Sequence, residues 1–208
     1  MRYGYSRKTK MSEERKRVLL AFFQGNDEYL SKLVPIFAVS SLVFIFSILI
    51  GYALGDETSA QSFEGVLSNI PDPTESSSIE MFAAILSNNV VASFLFMASG
   101  ILGGVPPLMF MAFNGFFIGY ISWNAAQVQG LAFVFATILP HGIVEIPTIL
   151  LSASMGVGLG YSVIHKLLRR EGLQKYVTTS LSIFIKRIIP LLVFAAGVET
   201  ALIYLFVI

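Results

Sequence analysis

The sequence predicts an all-α polytopic membrane protein with about five transmembrane helices, and three observations carry that expectation. Of 208 residues, 55% are hydrophobic and only 13% are charged. Mean hydropathy is +0.73, outside the range of ordinary soluble domains. Several stretches approach or exceed the roughly 20 apolar residues that a helix needs to cross about 30 Å of hydrocarbon. The charges are then sorted by those stretches. Eight basic residues precede the first span, the other six lie between the fourth and fifth, and the first connecting loop is acidic. Such sorting is what the positive-inside rule produces, and it predicts a cytoplasmic N-terminus and an external C-terminus in the cell membrane.

Taken in order, residues 1–32 read as a basic cytoplasmic segment. Within it, Ser12 to Ser31 is expected to lie on the membrane surface, with Val18, Leu19, Phe22 and Phe23 at helical spacing. The transmembrane domain covers 33–208. Its first span, 33–54, has no charged residue and sits too deep in the chain for a cleaved signal peptide. The loop 55–80 carries Asp56, Glu57, Glu64, Asp72, Glu75 and Glu80 and no basic residue. Further spans cover 81–102, 107–122, 131–164 and 188–208.

The tract 131–164 is too long for one straight crossing, about 50 Å at 1.5 Å per residue. Pro140 suits the first turn of a new helix. A break is therefore expected near 140, with a short re-entrant half-helix before it, and Pro147 is expected to kink the helix that starts there. FAAILSNNVV (82–91) and FATILPHGIV (135–144) match at five positions. Each tract runs into glycines and then into a span opening Pro-Leu, which suggests a parallel internal repeat of 81–120 and 134–208.

Few strongly polar groups are embedded: Asn88, Asn89, Asn114, His141, Glu145 and Glu199. A carboxylate near the bilayer centre costs about 2.5 to 3.5 kcal/mol, so it should face the bundle interior. His141 and Glu145 stand at i and i+4 on one helix face. Glu199 follows the small residues Ala195, Ala196 and Gly197, which permit close approach. A buried His–Glu–Glu cluster is expected. It reads either as a hydrogen-bond network that fixes packing or as a relay for protons or a cation. His141, Glu145 and Glu199 are weak candidates for a metal, because the chain has only two histidines. Gly142 is expected at a close approach, and Gly115, Gly119, Gly156 and Gly160 are expected to let helices touch.

The chain has no cysteine, so thiolate chemistry and disulfides are excluded. No catalytic set is complete: HGIVE lacks the HExxH pairing, and no Ser–His or paired-Asp arrangement is present. No enzyme activity, cofactor or nucleic-acid partner is expected. The basic N-terminus is accounted for by topology and anionic headgroups.

The embedded residues also carry a resemblance. Asn88-Asn89, Gly100 and Gly103, Asn114-Gly115 with Gly119, Pro140-His141-Gly142 with Glu145 and Pro147, Gly156 and Gly160, and Glu199 resemble the stage II sporulation protein M family. The similarity spans about residues 80–208, and the PHG-x-x-E-x-P string is its most specific element. It implies a fold of about five spans. In sporulating bacteria such proteins are membrane subunits that anchor cell-wall hydrolases during engulfment, and relatives also occur in organisms that do not sporulate. The acidic outer loop departs from the bacterial pattern, and nothing in the chain specifies a hydrolase partner. The expected function is a non-enzymatic scaffold in the lipid bilayer, forming a dimer or holding membrane or cell-envelope proteins. The alternative is a small transporter or channel for protons or a cation, working as a dimer.

Overall fold

The computed structural model describes residues 27–56, 76–169 and 173–206, with side chains described throughout except at 27, 136–141, 166–169 and 206. Most of the expected surface helix Ser12–Ser31 and of the acidic loop 55–80 lies outside the described residues. Among the described residues every regular element is helical. Five stretches are long and apolar enough to cross a membrane.

Helix α1 is Asp27–Ala53, beginning six residues before the expected span and continuing through Pro35. Helix α2 is Ser78–Ser99. Its start is written locally as Ser-x-x-Glu. The Glu80 amide donates to Ser77 Oγ at 3.3 Å, and the Ser77 amide donates back to Glu80 Oε2 at 2.8 Å. This reciprocal box satisfies two amide groups that the helix start would otherwise leave open. At its other end a tight turn, Gly100–Leu102, leads to Gly103 and Gly104, both left-handed at φ of 101° and 82°. Residues with side chains are strained in that conformation, so the reversal depends on the glycine pair. Helix α3, Val105–Gln129, then opens on Pro106 and Pro107, where a missing amide hydrogen costs nothing. It runs seven residues past the expected end. Only Gly130, at φ 85°, separates it from α4.

Helix α4 corrects the expectation of a broken segment. Its backbone is one continuous helix, Leu131–Arg169, passing through both Pro140 and Pro147. An internal proline costs about 3 kcal/mol in a helix. Leaving the helix at membrane depth would strand several backbone groups at several kcal/mol each, so continuing is cheaper. Beside Pro147, the Thr148 hydroxyl donates to the Val144 carbonyl at 2.6 Å. The final crossing is also longer than expected. Helix α5 (Leu173–Ile183), a wider π turn (Phe184–Ile188) and α6 (Ile189–Phe206) succeed one another without a gap.

Helix α4 packs against α1, α2, α3, α5 and α6. One apolar core joins Met97, Met155, Leu159, Phe184, Ile188 and Leu192. A second, with Phe44, Phe96, Met111 and Ile149, ties α1 and α3 to α2 and α4. The suggested repeat does not extend to the glycines. Gly103 and Gly104 reverse the chain, while Gly156, Gly158 and Gly160 stay inside α4.

Candidate functional site

Glycine sets the closest approaches. A Cβ on Gly115 would lie 2.5 Å from the Phe44 carbonyl oxygen, and one on Gly119 would run into the Ile48 carbonyl. Helices α1 and α3 therefore run side by side in the same direction, almost backbone to backbone. At the turn after α2, Gly100 faces Gly156 and Gly104 faces Gly160 just as closely. Gly142 is a correction. In place of the expected close approach, a Cβ there meets no described atom within 4 Å. The close contacts fall about four turns further on, at Gly156 and Gly160, where two glycine-bearing segments meet.

These contacts set the depth of the polar groups. Asn89 and Glu145 each stand eleven residues before the Gly100–Gly156 contact, on helices running the same way. They therefore lie at about the same level, roughly 16 Å along the axis from it. Asn89 is buried at 6% exposure, and Ser93 one turn on is fully buried. Its neighbour Asn88 is exposed, as expected for a residue about 100° round the helix. On α4, Glu145 is half-buried with its Oε2 out of contact with solvent. Thr148 and Ser152 continue its face at i+3 and i+7, both buried. Asn114 is half-buried on α3.

Glu199 is placed differently. The Tyr204 hydroxyl donates to the Ser76 carbonyl, so the end of α6 lies beside the start of α2. Glu199, five residues earlier on α6, is half-buried near that end of the bundle. The expected buried His–Glu–Glu cluster is thus not what the described residues form. Neither carboxylate is fully buried, and the His141 side chain lies outside the described residues. Among the described residues, no three His, Asp or Glu side chains converge as a metal site.

Sequence reasoning overlooked the hydroxyls. Thr148, Ser152, Ser154 and Ser162 on α4 and Thr200 on α6 are buried. Each donates to the carbonyl four residues earlier on its own helix, at 2.6 to 3.2 Å. Small hydroxyls inside an apolar helix are the signal, since each can bond the carbonyl four residues earlier.

Two uncharacterized proteins of Methanocaldococcus jannaschii resemble the chain. One is 36% identical over 91 residues, which cover 43% of this chain and 51% of the relative, so the match spans about half of that protein's length. The other is 30% identical over 169 residues, 74% of each chain. No solved structure matches. The family model for stage II sporulation protein M matches residues 40–202, from the middle of α1 to the last turns of α6 and including the whole polar face described above. The chain is a multispan membrane protein of the stage II sporulation protein M family.

Proposed function

We propose that the protein is a non-enzymatic membrane scaffold, which assembles with a second copy or holds membrane or cell-envelope proteins in place. One observation carries the reading: the buried hydroxyls of α4 and α6 turn back onto their own helices. A conduction path needs polar groups that face a lumen and exchange partners with a passing ion. Hydroxyls committed to their own carbonyls suit a packed body. The experiment is a proteoliposome flux assay with the purified chain. No proton or divalent-cation flux above empty vesicles is expected, and specific flux that Glu145→Gln or Glu199→Gln reduces would overturn the scaffold. Peptide or lipid hydrolysis that His141→Ala abolishes would overturn its non-enzymatic part.

The transport reading keeps one supporting observation, the buried Oε2 of Glu145 level with Asn89. An intramembrane carboxylate marks ion and proton paths as readily as it marks packing. The same flux assay decides between the two. A cytoplasmic N-terminus and an external C-terminus complete the proposal, on the positive-inside rule. The chain is free of cysteine, so a single cysteine at Lys186 or at Ser77 reports its side by labelling in intact cells. Labelling of Lys186→Cys from outside reverses the topology.

A further inference from the structure

Lys175, Thr179, Ser182 and Lys186 recur at i, i+4, i+7 and i+11, so they form one stripe along α5 and the π turn. Lys175 and Lys186 are exposed, and Thr179 and Ser182 are half-exposed. The opposite face of the same segment is anchored. Ser180 and Ile183 are fully buried and Phe184 nearly so. The Ser180 and Tyr29 hydroxyls are 2.6 Å apart, which ties α5 to the start of α1. Beside the stripe, Leu181 and Ile185 are exposed. An ordered row of donors bordered by apolar side chains is thus held in place by packing behind it.

Depth locates the row. The stretch Leu173–Leu205 is continuous, and its far end is fixed beside Ser76 by Tyr204. Measured from Tyr204, about 30 Å of hydrocarbon is used up by roughly 20 residues of helix. That count reaches the π turn. Ser182 and Lys186 therefore fall where hydrocarbon gives way to headgroups, and Lys175 stands further out. Lysines at this level pair with lipid phosphates, while their methylene stems stay along apolar surface.

We propose that this stripe binds the phosphate headgroup of an anionic phospholipid in the adjoining leaflet. The Lys186 ammonium and the Thr179 and Ser182 hydroxyls donate to the phosphate, Lys175 adds charge from the outer side, and an acyl chain lies against Leu181 and Ile185. The inference is independent of whether the protein is a scaffold or a transporter.

The test is native mass spectrometry of the purified full chain in detergent, with added phosphatidylglycerol or phosphatidylcholine. The wild type is expected to retain phosphatidylglycerol selectively. Lys186→Gln should weaken that retention about fivefold, the increment for one lysine near a charged surface. The pair Lys175→Gln and Lys186→Gln should weaken it by an order of magnitude or more. Arginine at both positions should restore it, which separates loss of charge from loss of fold. Equal retention of the two lipids, or an unaltered double glutamine variant, overturns the proposal. Displacement of the lipid by inorganic phosphate at matching concentration overturns the lipid as its ligand.

Discussion

The two glycine contacts of this molecule look alike in sequence and differ in what surrounds them. Between α1 and α3, Gly51, Gly115 and Gly119 each face a carbonyl of the opposite helix. Helix α1 lies at the edge, with only 17% of its most apolar window buried and side chains such as Val34, Leu42 and Phe46 facing outward. In the corresponding window of α4, 50% is buried, the largest share of the five spans. There Gly156 and Gly160 meet Gly100 and Gly104, Pro107 of α3 presses on Gly156 as well, and α1, α5 and α6 also pack against the helix. An edge helix can move outward into lipid to accommodate a side chain. A central helix cannot, because relief on one face is a clash on another. Identical residue types therefore carry different energetic weight, decided by the neighbours' freedom to withdraw.

Substitutions sharpen this contrast, and all can be read as thermal unfolding of purified protein in one detergent. Gly160→Val should have the largest effect, about 3 kcal/mol or more and loss of the folded fraction, since its Cβ would enter the Gly104 backbone. Gly119→Val at the edge should cost less, about 1 to 3 kcal/mol. If the edge variant proved the more damaging, the argument from freedom to withdraw would be wrong. Gly103→Ala isolates conformation from space, for φ is 101° and nothing lies within 4 Å. A loss of about 1 to 2 kcal/mol is expected there from backbone strain alone. Ser77→Ala removes the cap of α2 and should cost about 1 kcal/mol. Gly142→Ala should be neutral or stabilise by up to about 1 kcal/mol, the site being helical and open among the described residues. A marked destabilisation there would restore Gly142 as a contact.

Much of the architecture is legible in composition and charge, because the bilayer imposes helix length and leaves little else to choose. The five crossings belong to that class; the Ser77–Glu80 start of α2 does not, since the expected span begins only at residue 81. The course of the chain at Pro140 does not. The rule that proline ends a helix is calibrated where water can take up the freed carbonyl, and at membrane depth the alternative costs more. The π turn at Phe184–Ile188 is equally hidden, since one inserted residue is a response to packing on both sides. Among the polar positions, Asn88 and Asn89 are indistinguishable as letters. Only the direction of α2 shows that Asn89 is buried and Asn88 exposed. Likewise, i, i+4 spacing relates positions within one helix and says nothing of the depth at which a second helix presents Glu199.

The meeting of Gly156 and Gly160 with Gly100 and Gly104 also limits how α4 can move. Rotation by a single residue, about 100°, would bring Val157 onto the Gly100 backbone. A shift of one turn along the axis, about 5.4 Å, sets glycine against glycine at one position but drives Ser152 or Ile164 into glycine backbone at the other. Helix α4 is thus keyed into its neighbours like a pinned shaft: the packing opposes torque and thrust alike.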